Sequence, residues 1–239
     1  MSDGGRLARA LSAIDDRELR ARKAAAILGE MPAPLAVAAL SSLLRATARH
    51  SEAVEAVQRA LHGQLTGALA DELRAAAASS GEQDVLALLS SSPPSRAFDS
   101  GDPGYVDREM ASHTLGHRKQ LARGHDRDLL MRLAHDQDPS VVRQLLENPR
   151  ITEREVLIAA SRRPTHTAVL EEVFRSRRWS SSRRVRKALA LNPYSPPALA
   201  SAVLSLLTGP DLREVLRDEN VRPEVRARAL RLLSRRSGK

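Results

Sequence analysis

The chain has 239 residues, a formal net charge of +9, no cysteine, and only 2% aromatic residues. The lack of cysteine excludes a disulfide framework, thiolate metal sites, iron–sulfur clusters and cysteine nucleophiles. With so few rings the core must be built from Leu, Val and Ala, and because Leu and Ala are strong helix formers, this composition favours helices.

The sequence predicts neither a secretory signal nor a membrane span. The first residues, MSDGGRLARALSAIDD, lack a charged leader followed by an uninterrupted apolar run. The longest weakly polar stretch, PPALASAVLSLLTGP, is too short to span a bilayer. We therefore expect a cytoplasmic protein that does not bind membranes.

Residues 1–91 carry helical signals throughout and no alternating run of β-branched and aromatic residues, the usual mark of a strand. The pattern predicts a long helix that is capped by Ser51 and reaches Leu73, because apolar residues recur there at intervals of three to four. Gly63 and Gly67 in this helix indicate a bend or a close helix crossing. We expect residues 1–91 to form an N-terminal helical module.

A segment rich in Ser, Pro and Gly follows, and it predicts a linker over residues 92–104. The balance of basic and acidic residues changes near this linker. Residues 1–100 carry 11 Lys/Arg and 12 Asp/Glu, whereas residues 101–239 carry 27 and 17. A positive field of this kind favours polyanions or acidic protein surfaces as partners, but Arg residues that decorate solvent-exposed faces are the simpler explanation.

Two stretches beyond the linker end in nearly the same way: VVRQLLENP closes at Pro149 and VRKALALNP closes at Pro193, 44 residues later. A residue before proline is pushed out of the α region, so Asn148 and Asn192 should end their helices. A new start follows the first stop, because Thr152 and the glutamate three residues later fit a capping box.

Other helix starts repeat this alternation of short helices and short connectors. Asp126 or Asp128 should open one helix, Asp138 another, Ser195 a third, and a box beginning at Asp211 a fourth. None of these helices is long enough to be stable alone. Each must bury its apolar stripe against its neighbours, which is typical of a stacked α-solenoid over residues 105–239.

Residues 185–204, VRKALALNPYSPPALASAVL, resemble the leucine-rich repeat variant, whose unit pairs a V-R-x-x-x-A-x-N-P helix end with a Pro-led helix. Residues 141–164 look like a second copy, and the resemblance covers about residues 115–233. It implies a right-handed superhelix of the wider HEAT-like class that serves as a binding scaffold, and it names no ligand. Some such proteins carry a cysteine-ligated iron–sulfur cluster, which this cysteine-free chain cannot hold. Whether residues 1–91 are divergent repeats stays open.

The main candidate site is a cluster of basic residues around the single tryptophan, which we call the basic ridge. Arginine near a helix C-terminus favours the helix dipole, so part of the cluster has a structural explanation. Trp179 either fills a gap between repeats or stacks on a base or a partner side chain. The basic ridge consists of Arg162, Arg163, Arg175, Arg177, Arg178, Trp179, Arg183, Arg184, Arg186 and Lys187.

Signals for catalysis or metal binding are weak. The sequence contains no Walker-type phosphate loop and no G-x-S-x-G elbow. Glu109, His113 and His117 are spaced to share one face of an uninterrupted helix, but Gly116 weakens such a helix. We therefore expect no catalytic residue, no cofactor, no metal site and no enzymatic activity.

Three functional hypotheses remain from the sequence. The first is a non-enzymatic scaffold that binds an unidentified protein partner, since a solenoid offers an extended surface and no reactive group stands out. The alternative is nucleic-acid binding along the basic ridge, with an affinity that falls steeply with salt. The third is self-association through the N-terminal helices, and the sequence leaves the oligomeric state open.

Overall fold

The computed structural model describes residues 3–47, 50–99 and 107–237. These residues contain sixteen α-helices and no strand, which confirms the predicted all-α class. Within the same ranges, no helix combines the length and the apolar character needed to cross a membrane. The chain divides into two compact units, residues 1–92 and residues 93–239.

The first unit contains six described helices, and its apolar core comes from all of them. Helix α1 packs against α3 and α4, α2 packs against α4, and α3 packs against α5. Their bounds are α1 (Asp3–Ser12), α2 (Arg17–Glu30), α3 (Ala33–Arg45), α4 (Ser51–Gly63), α5 (Gly67–Ser79) and α6 (Gln83–Leu88).

The long helix predicted from Ser51 to Leu73 is wrong, because the structure divides it into α4 and α5. Helix α4 ends at Gly63, and Thr66 caps α5 by accepting a hydrogen bond from the Leu69 N–H at 3.3 Å. A threonine cap next to residues of low helix propensity stabilises a new helix start more than a continuous helix. The apolar stripe stays in phase across this break, which explains why periodicity alone missed it.

The second unit begins with a non-helical segment, residues 93–99, and continues with ten described helices. Their bounds are α7 (Arg108–Ser112), α8 (Leu115–Ala122), α9 (Arg127–Leu133), α10 (Pro139–Glu147), α11 (Glu153–Ser161), α12 (Thr167–Arg175), α13 (Arg183–Leu191), α14 (Pro197–Leu204), α15 (Gly209–Arg217) and α16 (Pro223–Ser237).

Helices of the second unit contact near neighbours along the chain. Pairs two positions apart pack together: α8 with α10, α10 with α12, α11 with α13, α13 with α15, and α14 with α16. Adjacent helices also pack, most extensively α13 with α14 and α15 with α16. Most of the packing in this unit is therefore between helices that are adjacent or two positions apart along the chain.

Asn148 ends α10, as predicted, and its side chain also joins α10 to an earlier helix exit. The residue is 4% exposed, and its Nδ2 donates to the carbonyl oxygens of Ala122 at 2.8 Å and Gly124 at 2.9 Å. Its Oδ1 accepts a hydrogen bond from the Arg150 N–H at 2.9 Å. The amide thus satisfies main-chain groups at the ends of two helices at once.

Asn192 repeats this arrangement at the end of α13. Its Nδ2 donates to the carbonyl oxygens of Ala160 at 2.9 Å and Arg162 at 3.0 Å, and its Oδ1 accepts from the Tyr194 N–H at 3.0 Å. Both asparagines have negative φ and extended ψ, so neither uses the left-handed conformation. The repeated Asn-Pro ending therefore marks a repeated set of side-chain hydrogen bonds that join the ends of two helices.

Three predicted helix starts are confirmed. The carboxylate of Asp126 caps α9, and that of Asp138 caps α10. Thr152 and Glu155 form the capping box of α11, in which the Thr152 N–H donates to the Glu155 carboxylate at 2.7 Å.

Two other predicted starts differ from the structure. Ser195 does not cap α14, because its hydroxyl instead donates to the Leu189 carbonyl at 2.7 Å. The box predicted to begin at Asp211 begins at Thr208, whose N–H donates to the Asp211 carboxylate at 3.3 Å. A threonine followed three residues later by an acid offers both halves of a box, which the aspartate alone does not.

Residues 93–99, which we call the edge segment, fall within the segment predicted as a linker. They are non-helical and belong to the second unit. The Arg96 N–H donates to the Pro193 carbonyl at 3.1 Å, and the Phe98 ring lies 3.7 Å from the His166 ring between centroids. The rest of the predicted linker, residues 100–104, lies outside the described residues.

Candidate partner-binding surfaces

The structure places the basic ridge on four consecutive parts of the second unit. Arg162 and Arg163 follow α11, Arg175 ends α12, residues 177–179 lie between α12 and α13, and residues 183–187 belong to α13. The side chains contact groups from α10, α11 and α15 as well as from one another.

Trp179 is largely enclosed by the second unit. It is 9% exposed, and its Nε1–H donates to the Leu146 carbonyl at 3.3 Å. The Arg178 guanidinium lies 4.4 Å from the ring centroid, a favourable cation–π distance. The ring therefore fills space beside the end of α10, with one of its faces under an arginine.

Arg178 itself binds main-chain oxygens at the exit of α10. Its guanidinium donates to the carbonyl oxygens of Asn148 at 3.3 Å, Pro149 at 3.2 Å and Ile151 at 3.2 Å. Helix exits leave carbonyl groups without helical partners and carry partial negative charge, so an arginine there is stabilising.

Three ridge residues bind carboxylates from neighbouring helices. Arg183 forms a two-bond contact with Asp211 at 2.7 and 3.0 Å, and these bonds lower the pKa of the Asp211 carboxyl well below its usual range. Arg184 donates to Glu153 at 3.0 Å. The third contact, an ion pair at 2.5 Å, joins Lys187 of α13 to a glutamate of α15.

The remaining basic side chains of the ridge are also engaged. Arg175 pairs with glutamates of its own helix, at 3.0 and 3.3 Å. Arg163 donates to the Leu191 carbonyl at 2.7 Å, and Arg186 donates to a carbonyl in the α12–α13 turn at 2.7 Å. Arg162 is 9% exposed, and burial lowers the pKa of its guanidinium.

The acidic partners of the ridge were not predicted from the sequence. A recurring interval in the sequence could have indicated two such pairs. Arg127 precedes Glu155, which it binds, by 28 residues, and Arg183 precedes Asp211 by the same interval. In each case the arginine is the first residue of a helix and the acid closes the capping box two helices later. This recurrence connects alternate helices of the second unit.

A second surface is formed by the connectors between α9 and α10, α11 and α12, α13 and α14, and α15 and α16. Each is five residues long: 134–138, 162–166, 192–196 and 218–222. The edge segment lies beside all four, because its residues line hollows with the first, second and last and bond to the third. We call this surface the connector edge.

A cleft of about 690 Å³ opens at the connector edge, next to Phe98. Two buried polar atoms of its lining, Arg118 Nε and Gln137 Oε1, have no hydrogen-bond partner among the described residues. The lining residues are Pro94, Ala97, Phe98, Arg118, Gln137, Asp138, Pro139, His166, Thr167 and Ala168.

A smaller hollow of about 170 Å³ lies beside this cleft, and five titratable groups with shifted pKa values line it. Arg132 donates to Asp107 at 2.6 Å and lowers the pKa of that carboxyl to about 2. Burial raises the pKa of Asp136, although Arg118 binds this carboxylate at 2.8 and 2.9 Å. Burial also lowers the pKa of His135. The carboxylates are thus held by arginines within the unit.

The proposed metal-like spacing does not lie on a single helix. Helix α7 ends at Ser112 and α8 begins at Leu115, so Glu109 and the two histidines are split between elements. The rings of His113 and His117 lie 4.4 Å apart, while Glu109 pairs with an arginine at 2.8 Å. In the part of the chain that the structure describes, no group of three or more metal-ligating residues is present.

Comparisons with known proteins add nothing to the class that the structure itself shows, which is an all-α protein of short helices. No family model matches it, and no curated protein matches it. Among solved structures it is similar to an engineered protein determined by a structural genomics consortium, at 17% identity, 100% coverage of both chains and a TM-score of 0.18. A TM-score this low supports no conclusion about fold or function.

Proposed function

We propose that the chain is a non-enzymatic, cytoplasmic scaffold that binds another protein through a right-handed α-solenoid in its second unit. The repeats would be of the leucine-rich repeat variant kind that residues 141–164 and 185–204 resemble. In support, helices two positions apart pack together, and Asn148 and Asn192 make equivalent bonds. Stacked repeats present long surfaces that suit protein partners.

The observation that carries this proposal is the edge segment on the connector edge. A non-helical segment of the chain already lies there, and its contacts include a main-chain hydrogen bond to Pro193 and a ring contact with His166. The connector edge thus already makes main-chain and ring contacts with a non-helical peptide segment.

Nucleic-acid binding along the basic ridge is the second candidate, and one observation favours it. The side chains of Arg183 and Arg184 are paired, but they remain 59% and 73% exposed. Exposed ion pairs are weak, so a phosphate can compete for these guanidinium groups. Against this candidate, every carboxylate on the ridge offsets positive charge that a polyanion would need.

The test of the scaffold proposal is cross-linking of the full chain in a cell extract, with Ala168→Arg compared with wild type. Ala168 is exposed and lines the cleft, so an arginine there obstructs the connector edge without filling the core. Ala227→Arg, an equally exposed site on α16, is the matched control. We expect cross-linked proteins that Ala168→Arg loses and Ala227→Arg keeps.

Cross-linked proteins that are unaffected by Ala168→Arg would contradict a role for the connector edge. In parallel, mobility shift of a labelled oligonucleotide at low salt tests the second candidate. A shift that disappears when Arg177, Arg178, Arg183 and Arg184 are replaced by Ala would favour nucleic-acid binding over the scaffold.

A further inference from the structure

We propose that the outer side of α15 binds a helix of a partner protein that carries two acidic residues three positions apart. This side, which we call the α15 face, consists of Arg213, Leu216 and Arg217. None of these residues lines the cleft of the connector edge. The α15 face is therefore a separate surface, and its partner chemistry goes beyond the proposed scaffold function.

Ion pairs join alternate helices of the second unit from α9 to α13. Arg127 of α9 pairs with Glu155 of α11 at 3.5 Å. Arg184 of α13 pairs with Glu153, the first residue of α11, at 3.0 Å. Each helix of this series thus presents a charge to the helix two positions along the chain, where a residue of opposite charge binds it.

The series continues from α13 to α15 with two ion pairs. Arg183 and Lys187 are four residues apart on α13, so they share one face of that helix. They bind two acids that are three residues apart on α15, Asp211 at 2.7 Å and Glu214 at 2.5 Å. In this fold, a basic pair four residues apart on one helix therefore matches an acidic pair three residues apart on a neighbouring helix.

Helix α15 carries a basic pair with the same spacing. Arg213 is the fifth residue of α15, as Lys187 is of α13, and Arg217 follows four residues later. Both arginines are exposed, and neither forms a hydrogen bond or an ion pair with any residue that the structure describes. Leu216 lies between them on the same face and is half-buried. The α15 face thus combines two available cations with apolar surface.

The surroundings of the α15 face favour an acidic partner. Residues 209–237 contain eight arginines and five acidic residues, and three of these acids already bind basic side chains, namely Asp211, Glu214 and Glu224. Positive charge therefore remains at this end of the second unit and attracts carboxylates. A helix suits the site because acids three residues apart on a helix lie about 5–6 Å from each other, as the two arginines do.

The test measures binding of a fluorescent synthetic peptide to the full chain at low salt. The peptide is alanine-rich, has about 20 residues so that it is helical alone, and contains two copies of the D-L-x-E-V pattern of residues 211–215. A second peptide has Lys in place of each acid. The reversed variant carries Arg213→Glu and Arg217→Glu, and Gln at both positions is a milder version in case the reversed variant folds poorly. Circular dichroism verifies the helix content of each.

The matched control carries Arg150→Glu and Arg154→Glu, which reverse the same number of charges in the same unit. Both residues are exposed, and neither side chain forms a hydrogen bond or an ion pair within the described part of the chain. A loss of binding caused only by net charge would therefore occur in the control as well.

We expect the acidic peptide to bind wild type saturably, with a dissociation constant below about 1 mM, since exposed ion pairs are individually weak. The reversed variant should bind it at least about tenfold more weakly, because attraction becomes repulsion, whereas the control should change the affinity by less than about twofold. The lysine peptide should bind the reversed variant better than it binds wild type. Raising the salt concentration to about 1 M should weaken binding of the acidic peptide.

No saturable binding to wild type, or an equal loss of binding in the reversed variant and the control, would overturn the proposal. So would wild-type dimers that the reversed variant dissociates, since the occupant would then be a second copy. Failure of the peptide leaves the cross-linking test untouched, because Ala168 belongs to α12 and that test asks only whether Ala168→Arg removes a bound protein. The two outcomes are therefore distinguishable.

Discussion

Asn148 and Asn192 show why a particular residue type is required at the helix exits of the second unit. Each is almost fully buried and uses its amide both as a donor to two carbonyl oxygens and as an acceptor from a main-chain N–H. Aspartate has the acceptor but not the donor, and a buried aliphatic residue has neither. Asparagine alone satisfies this set of main-chain groups.

Replacing Asn192 by Asp tests this account. The change removes two hydrogen bonds and places a carboxylate against two carbonyl oxygens, so we expect the free energy of unfolding to fall by about 2–4 kcal/mol. Urea unfolding followed by Trp179 fluorescence measures it, because the chain's one tryptophan lies in the second unit.

Asn220→Asp is the matched control for that change. Asn220 is exposed, and its Nδ2 donates only to nearby Asp218 at 3.0 Å, so its substitution should alter stability by no more than about 0.5 kcal/mol. If both variants unfold at the same urea concentration, the amide of Asn192 does not stabilise the second unit in the way described.

At the scale of the element, helix starts depend on neighbouring residues, whereas helix crossings depend on residues far apart in the chain. The capping boxes of α11 and α15 are local, and each also accepts an arginine from the helix two positions earlier. The crossing of α1 and α3 instead depends on Gly4, which has no side chain to separate the two helices. A Cβ on Gly4 would lie 2.6 Å from the Ser42 Cβ and 2.9 Å from the Ala39 carbonyl oxygen.

Gly4→Ala is therefore expected to destabilise the first unit by about 1–3 kcal/mol, despite the higher helix propensity of alanine. The added carbon meets backbone, so α1 must move away from α3. Thermal unfolding followed by circular dichroism measures the effect. Gly67→Ala, where a Cβ meets nothing within 4 Å, should change the midpoint little. Equal midpoints for the two variants would show that the α1–α3 crossing tolerates a wider spacing.

At the scale of the whole molecule, several carboxylates of the second unit have lowered pKa values, and arginines bind four of the five. Hydrogen bonds from Arg132 lower the pKa of Asp107 to about 2. Polar contacts also place the carboxyl pKa values of four other residues below their ordinary range: Asp138, Glu155, Glu172 and Asp211.

Acid should therefore unfold the second unit. A carboxyl with a lowered folded-state pKa stabilises the fold fully above its ordinary value, 3.8 for Asp or 4.5 for Glu, and loses that contribution as the pH falls through the lowered value. We expect the thermal midpoint to fall steadily between about pH 5 and pH 2. Trp179 fluorescence during thermal unfolding measures it.

Arg132→Gln is the control for the acid effect. Without this arginine the Asp107 pKa returns toward its ordinary value, so the variant starts less stable and loses less between pH 5 and pH 2. An acid dependence identical to that of wild type would mean that the Arg132–Asp107 pair does not contribute to it.

The sequence predicted the parts of this molecule that depend on neighbouring residues. Asp138 and the Thr152–Glu155 box start helices, and Asn148 and Asn192 end them, because caps act over three or four residues. Periodicity was less reliable where a break kept the apolar stripe in phase, as between α4 and α5. The edge segment was missed for another reason: its bonds to residues about 70 to 100 positions away leave no local pattern.

The basic ridge shows the same limit for the candidate site. Its arginines are visible in the sequence, but the acids that bind Arg183 and Arg184 lie 28 and 31 residues away on other helices. The count of charged residues therefore predicted a positive surface, whereas in the tertiary structure several of these basic side chains form ion pairs. Asp211 and Glu153 become partners of the ridge only when α15 and α11 pack beside α13.

By itself, the sequence determined the all-α class, most helix ends and the apolar stripes, since each follows from interactions within a turn or two of the chain. Only the tertiary structure decided which charges are paired, which asparagine groups join two helices, and where the edge segment lies. These depend on contacts between distant residues, whose geometry is fixed by the packing of helices against one another.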